Sequence, residues 1–153
     1  MHPEVPIKRI LIPIDFSDPS RRAFYAGLSL AAKYDADAWI LHVSEPLRSF
    51  DFGKKKYVET KDTIERVEEG VRRRVDELRE AEGASAVDRR RIHILVRGGK
   101  AAHEIVDTAQ AKEVDLIVMG RSGAGGGLIG STSERVLRNA SCSVFCVKVR
   151  TPE

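Results

Sequence analysis

The alternation of short apolar runs with amphipathic segments of helical period constrains the fold of this chain more than any other feature. Five runs have the near-continuous apolar character of strands covered on both faces, and a helical pattern follows each of the first four. Such alternation predicts an α/β protein: a single open, doubly wound, Rossmann-like sheet of five parallel strands with helices on both faces. We expect one domain over residues 1–153. The predicted strands are Arg9–Ile14, Ala38–Val43, Arg91–Val96, Leu116–Met119 and Val144–Val149.

The ends of the predicted helices follow from capping residues. Asp18-Pro19 is predicted to begin the first helix, because proline suits the first helical position. Ser131 and Glu134 have capping-box spacing, so the fourth helix is predicted to begin there with this pair closing its N-terminus. The stretch from Ser44 to about Glu59, which contains proline and glycine, is predicted to be an irregular connection.

Composition and terminal sequence argue against a membrane protein. No apolar run approaches the roughly 20 residues needed to cross a bilayer. The early apolar run Ile10–Ile12 is cut off by Pro13 and Asp15, so it does not resemble the core of a signal peptide. We therefore expect a cytoplasmic protein that does not associate with a membrane.

Charge and cysteine patterns favour structural roles. The basic runs Lys54–Lys56, Arg72–Arg74 and Arg89–Arg91 have acidic neighbours and no interleaved aromatic residues that could stack on bases. A solvated, salt-bridged helix face is therefore favoured over a nucleic-acid surface. Positions four apart on a strand lie on the same face, so the spacing of Cys142 and Cys146 suits two small buried thiols better than a redox pair or a zinc site. No metal-binding residues are predicted.

A glycine-rich stretch, Met119–Glu134, joins the fourth strand to the fourth helix. Backbone N–H groups of such a loop, together with a helix N-terminus, can enclose an anion. A surface turn that binds nothing is the alternative, and the local sequence does not separate the two. The spacing Gly125-x-Gly127-x-x-Gly130 matches a dinucleotide fingerprint, but it follows the wrong strand and lacks the acidic residue about 20 positions later. That interpretation is rejected, and no Walker P-loop occurs.

Three loops are predicted to meet at one edge of the sheet. Asp15, Ser44 and Gly120 each follow the end of a predicted strand, and open α/β sheets bind ligands beyond the carboxyl ends of their strands. Asp15 has two compatible roles there: it can accept hydrogen bonds from ribose hydroxyls, and it can cap the following turn through Ser17.

Taken together, five segments closely resemble the universal stress protein family. They are Ile10–Ser17, Ile40–Val43, Ala102–Val106, Asp115–Gly120 and Gly130–Val136, and the resemblance extends from about Lys8 to Val149. It implies the strand order 3-2-1-4-5 and a homodimer formed through the last strand. One branch of the family binds ATP and another does not.

The ATP-binding branch implies a set of site residues. Its ribose-binding aspartate corresponds to Asp15, and the residue that holds adenine through its backbone corresponds to Val43. Its phosphate motif, Gly-x2-Gly-x9-Gly-[Ser/Thr], matches at Gly120-x2-Gly123 and at Gly130-Ser131. The expected ligand is ATP or another adenine nucleotide, with Mg²⁺ as a candidate companion ion. The expected binding residues are Pro13, Ile14, Asp15, Val43, Met119, Gly120, Arg121, Gly123, Gly130, Ser131, Thr132 and Ser133.

The chain departs from the family motif in the phosphate loop. Six residues, not nine, separate Gly123 from Gly130. The shorter loop either still wraps a triphosphate, or favours AMP or ADP, or leaves the site empty. The hypotheses are therefore an adenine-nucleotide-binding stress-response regulator, a protein that acts through protein–protein contacts alone, and a slow ATPase. No catalytic residue is predicted. A second departure is Ser143, where the family often has proline.

Two further expectations concern the phosphates and the dimer. Backbone N–H groups of Gly123, Gly130, Ser131 and Thr132 are expected to hold the phosphates, assisted by the Ser131 hydroxyl. Valine at position 130 should disfavour positive φ and crowd the phosphate, and should therefore be more harmful than Arg121→Ala. The strand Val144–Val149 should pair with its copy in a second chain, because a sheet edge leaves backbone groups unpaired, although Lys148 argues mildly against this.

Overall fold

The computed structural model describes residues 3–44, 49–58, 60–81, 87–121 and 130–148. Within these ranges the chain forms seven strands and four α-helices. The strands are β1 (Arg9–Pro13), β2 (Asp37–Ser44), β3 (Ser49–Asp51), β4 (Lys56–Val58), β5 (Ile92–Gly98), β6 (Leu116–Gly120) and β7 (Ser143–Val147). The helices are α1 (Asp18–Tyr34), α2 (Lys61–Ala81), α3 (Ala101–Ala111) and α4 (Ser131–Asn139).

The central sheet has the predicted order and direction. Five strands lie in the order β5-β2-β1-β6-β7, and every neighbouring pair is parallel. Numbered along the chain, these five strands have the order 3-2-1-4-5, which confirms the prediction. The order reverses beside β1, because the chain runs outward to β2 and β5 on one side and later returns to β6 on the other. This reversal opens a crevice beyond the carboxyl ends of β1 and β6.

Two apolar layers cover the sheet and explain its buried strands. Side chains of β1 alternate, so that Ile10 and Ile12 belong to the layer beneath α1 and α2, whereas Leu11 belongs to the layer beneath α3 and α4. All three are fully buried, and each such side chain contributes about 1.5–3 kcal/mol to stability. In α1, Phe24 and Leu28 are likewise buried. Helices on both faces are thereby confirmed.

The connection after β2 is not irregular throughout, and this prediction was wrong. Strands β3 and β4 pair antiparallel, with Ser49 opposite Val58. The turn between them is held by Asp51, whose Oδ1 accepts hydrogen bonds from the backbone N–H groups of Gly53 at 2.9 Å and Lys54 at 3.0 Å. Side-chain-to-backbone bonding of this kind specifies a turn without a hydrophobic pattern. Strands of three residues are too short to display an alternation.

Two of the three basic runs form salt bridges as predicted, whereas Lys54–Lys56 lies in the β3–β4 hairpin and not on a helix. Arg72 pairs with Glu68 at 3.4 Å, and Arg90 pairs with Asp88 at 2.9 Å. Such exposed pairs add at most about 1 kcal/mol each, so they neutralise the surface more than they stabilise it. None of the helices in the described part of the chain combines the length and apolar content that a membrane span needs.

The two cysteines are less buried than predicted. Cys142 precedes β7, Cys146 lies within it, and both are free thiols of intermediate exposure. Partial burial raises the pKa of both thiols, although the Arg121 guanidinium opposes the rise in the pKa of Cys146. Both are therefore protonated and weakly reactive near neutral pH.

Candidate functional site

The crevice at the carboxyl edge of the sheet consists of two adjoining cavities. A narrow cavity of about 120 Å³ lies among the ends of the central strands, and a wider one of about 840 Å³ extends between α3 and α4. Val43, Ala101 and Thr132 line both cavities and therefore join them. The wider cavity falls within the range of about 300–1,000 Å³ typical of small-molecule sites.

The structure brings most of the predicted site residues together here. Those lining the narrow cavity are Pro13, Ile14, Asp15, Val43, Met119, Gly120 and Thr132, and Ser131 and Thr132 line the wider one. Arg121 and Gly130 stand at the two ends of the undescribed stretch 122–129, and Gly123 lies outside the described residues. Ser44, which was expected to contribute, does not line either cavity among the described residues.

The carboxylate of Asp15 is held by the turn that begins α1. Its Oδ1 accepts hydrogen bonds from the Ser17 backbone N–H at 2.9 Å and from the Ser17 hydroxyl at 2.5 Å. The turn-capping role predicted for Asp15 is thereby confirmed. Burial tends to raise the pKa of Asp15, but hydrogen bonds from Ser17 and Ser20 outweigh it and hold the pKa below its ordinary value of 3.8. Asp15 therefore presents a negative charge to the cavity at neutral pH.

Phe16, the residue after Asp15, has a left-handed backbone with φ of 65°. A bulky residue in this conformation is an outlier that costs roughly 1–3 kcal/mol and persists only where its surroundings hold it. Its carbonyl accepts a hydrogen bond from Arg21 Nε at 3.2 Å. Its ring lies 5.6 Å from the His42 ring, and the Arg74 guanidinium carbon lies 3.7 Å from the Phe16 centroid.

Helix α4 begins at Ser131 as predicted, but its predicted capping box is wrong. The N-cap is Gly130, which has no side chain, and Glu134 pairs with Arg138 at 2.7 Å instead of closing the helix end. Gly130 has φ of −64°, so the expected positive φ is also wrong. The fully buried Ser133 donates its hydroxyl to the Gly120 carbonyl at 3.1 Å, which leaves its backbone N–H as its candidate contribution to a ligand site.

Gly120 has a packing role that the motif alone did not indicate. An added Cβ at this position would lie 2.5 Å from the backbone carbonyl carbon and oxygen of Pro19. Real Cβ atoms essentially never approach so closely, so glycine is what allows the first turn of α1 to sit against the end of β6. The same residue therefore shapes the floor of the crevice and positions the neighbouring helix.

The N-terminus of α3 also reaches the crevice, which sequence reasoning missed. Gly99, at φ of 134°, turns the chain from β5 towards α3. The N-cap of α3 is Lys100, which makes no side-chain capping hydrogen bond within the described residues. Lys100, His103 and Arg135 line the wider cavity, where His103 Nε2 lies 3.1 Å from Asp107. These cationic and potentially cationic side chains favour an anionic ligand. The glycine pair before α3 was the available signal.

The fold and the crevice define an open α/β protein with a candidate ligand site at the carboxyl edge of a parallel sheet. The chain belongs to the universal stress protein family, whose family model matches residues 6–148. A universal stress protein of Methanocaldococcus jannaschii is 33% identical over 153 residues, covering 92% of this chain and 82% of that relative.

Solved structures of the family share the fold. A universal stress protein in complex with cAMP superposes with a TM-score of 0.67 at 22% identity, covering 95% of this chain and 99% of the other. A universal stress protein from Archaeoglobus fulgidus in complex with dAMP has a TM-score of 0.60 at 21% identity, covering 94% and 98%. At these identities the likeness is one of fold.

Proposed function

We propose that this protein binds an adenine nucleotide and acts as a homodimeric regulatory protein of the stress response. The observation that carries the proposal is the position of the ionised Asp15 beside the start of α4 on one crevice. A carboxylate suits ribose hydroxyls, and the N–H groups at a helix N-terminus suit phosphate. In this proposal the Val43 backbone holds adenine, and Ser131 and Thr132 donate N–H groups to phosphate.

The proposal also concerns how many phosphate groups the bound nucleotide carries. The two structural neighbours carry cAMP and dAMP, which are both monophosphates. This supports AMP as a ligand that does not require the longer phosphate loop, with ADP and ATP as further candidates. Within the described ranges no group of three or more His, Cys, Asp and Glu residues could hold a metal ion, so any Mg²⁺ would arrive with the phosphates.

Two other hypotheses and the localisation remain predictions. A protein that works through protein–protein contacts alone would have the same fold, and a slow ATPase would have the same ligand. The ionised carboxylate and the cationic groups on the crevice favour nucleotide binding over the first. We assign no catalytic residue. Cytoplasmic localisation remains a prediction.

The dimer proposal rests on β7. This strand lies at the edge of the sheet, with β6 as its neighbour. Phe145 on β7 is 48% exposed, and Leu137 on α4 is 42% exposed. Edge pairing with a second copy would bond the outer backbone groups of β7 and cover Phe145. Lys148 follows the last residue of β7, so its charge does not lie within the strand that would pair. Val149 lies outside the described residues. Sedimentation that detects only a 17.0 kDa species at micromolar concentration would exclude the dimer.

Nucleotide binding is tested by mass spectrometry of the native purified protein, followed by isothermal titration with AMP, ADP and ATP. Asp15→Ala should weaken binding by about 1–3 kcal/mol, the contribution of a hydrogen bond to a charged group. The fold should survive, because Asp15 lies after the end of β1 and outside the apolar layers. Equal affinities of wild type and variant would remove Asp15 from the site. Absence of binding to all three nucleotides would reject the proposed function.

A further inference from the structure

The strained residue beside Asp15 is held by side chains from two other elements, which form what we call the Phe16 stack. Its members are Phe16, His42 on β2 and Arg74 on α2. His42 Nδ1 lies 2.8 Å from the carbonyl oxygen of Ile14, and because a carbonyl only accepts, Nδ1 donates this bond. The stack therefore contacts the chain on both sides of Asp15.

Asp15 and Phe16 are consecutive, but their side chains lie in different surroundings. Asp15 lines the narrow cavity together with residues of α1, α3 and α4. Phe16 is 7% exposed and packs in the apolar layer beneath α1 and α2. Phe16, with its left-handed φ, is the middle residue of the turn in which the Ser17 N–H and hydroxyl donate to Asp15 Oδ1. An aromatic residue keeps that conformation only when its contacts hold it. The contacts of the Phe16 ring therefore bear on the direction of the Asp15 carboxylate.

Arg74 is the member of the stack for which the described residues provide no hydrogen bond or ion pair. It is exposed, it lines neither cavity, and its guanidinium lies over the Phe16 ring as a cation–π contact. Successive helical residues are rotated by about 100°, so its neighbours point elsewhere. Arg72 pairs with Glu68, whereas Arg73 makes no ion pair or ring contact with the described residues.

We propose that Arg74 is a positioning residue that sets the selectivity of the site for the ribose hydroxyls. By covering the Phe16 ring it holds the left-handed turn, and this turn directs the Asp15 carboxylate into the cavity. The inference rests on the proposed nucleotide-binding function, which it deepens. Arg74 itself touches no ligand, so its loss should alter recognition of the sugar and not of the phosphate.

The test compares Arg74→Gln with Arg73→Gln, a matched change of the adjacent exposed arginine. Each protein is titrated with AMP and with 2′,3′-dideoxy-AMP, which lacks both ribose hydroxyls. Wild type should prefer AMP by roughly tenfold or more, the fold-change that corresponds to a hydrogen bond with a charged acceptor. Arg74→Gln should reduce this preference to below about threefold by weakening AMP alone, whereas Arg73→Gln should keep it.

A conservative variant and a stability measurement separate positioning from a general structural role. Arg74→Lys keeps a cation over the ring and should restore much of the preference for AMP. Urea unfolding should find all three variants folded, since both arginines are exposed. An unchanged preference for AMP in Arg74→Gln, or an equal loss of affinity for both ligands, would overturn the inference. AMP binding by wild type would still uphold the proposed function. Binding of both nucleotides by wild type without a preference would also overturn the inference, and binding of neither would reject the proposed function as well.

Discussion

Helices α1 and α4 begin side by side at the same crevice, and their first turns differ in how their donors are used. At α1 the N-cap Ser17 accepts a hydrogen bond from the Ser20 N–H at 3.4 Å, and Asp15 in turn accepts from Ser17. At α4 the N-cap Gly130 has no side chain, and within the described residues no side chain accepts from the first N–H groups of the helix. The first N–H groups of α1 are therefore partly satisfied by a side-chain cap, whereas those of α4 are available to a ligand.

This difference separates stability from binding within a single site. A side-chain cap contributes about 1 kcal/mol, which α1 gains on folding and α4 lacks. The uncapped end of α4 keeps the partial positive charge of its dipole facing the crevice, where an anion can recover the energy. In this comparison α1 supports the fold and the Asp15 carboxylate, whereas α4 leaves backbone donors free for the proposed ligand. The following predictions test that division, from the largest expected effect to the smallest.

Crowding the start of α4 should have the largest effect on binding. Gly130→Val places a branched side chain where a phosphate would approach the Ser131 and Thr132 N–H groups. Losing two hydrogen bonds to a charged group, at about 1.5–3 kcal/mol each, predicts a loss of at least about 3 kcal/mol, roughly a hundredfold in affinity. Because Gly130 has φ of −64°, crowding and not backbone strain is the cause.

Arg121→Ala is the comparison for this variant, measured by the same nucleotide titration. It removes one charge and none of the backbone donors at the start of α4. Its effect on affinity should therefore be smaller than that of Gly130→Val. Abolition of binding by Arg121→Ala, with Gly130→Val neutral, would show that the backbone account of the phosphate site is wrong.

Forcing the start of α1 away from the end of β6 should have the next largest effect. Gly120→Ala places a Cβ 2.5 Å from the Pro19 backbone, and overpacking of this kind typically costs about 1–3 kcal/mol. Urea unfolding measures the loss. The control is Gly70→Ala in the interior of α2, where an added Cβ meets nothing within 4 Å. That control should stabilise by about 0.5–1 kcal/mol, because alanine is the better helix former. Equal effects of the two substitutions would contradict the close approach of α1 to β6.

The corresponding serines at the two helix starts should behave differently. Ser17→Ala removes the cap of α1 and should lower the free energy of unfolding by about 1 kcal/mol. Ser131→Ala at the first position of α4 should change stability by less than about 0.5 kcal/mol while weakening nucleotide binding. Thermal unfolding and titration of both variants give the comparison. A larger stability loss from Ser131→Ala would mean that α4, too, depends on a side-chain cap.

The smallest expected effect is a pH dependence that originates at Asp15. Its folded pKa is lowered below 3.8, so the unfolded chain binds the proton more readily. The stability that Asp15 contributes is therefore present above pH 3.8 and is lost as the pH falls through the lower folded pKa. Acid titration of unfolding in wild type and Asp15→Asn should show the difference between them shrinking below this pH. A difference that grows on acidification would reverse the sign of the shift.

Local sequence patterns specify the sheet, the helices and the outline of the candidate site. Apolar runs such as Ile10–Ile12 and the start of α4 at Ser131 are local signals, because periodicity and glycine content act over a few residues. The family motif also indicated that Asp15 and Gly120 belong to one crevice. These features depend on what each segment must bury and where its backbone must turn.

The contacts between distant segments, in contrast, depend on how the elements pack. Packing brought Pro19 against Gly120, Arg74 over Phe16, and the start of α3 to the crevice beside Val43. It also gave Gly130 an ordinary negative φ and directed Glu134 to Arg138. Close approach depends on how layers of helices stack on a sheet, and no local pattern records which residues will meet there. The sequence therefore indicated the candidate site, and packing determined which of its residues serve the fold and which line the crevice.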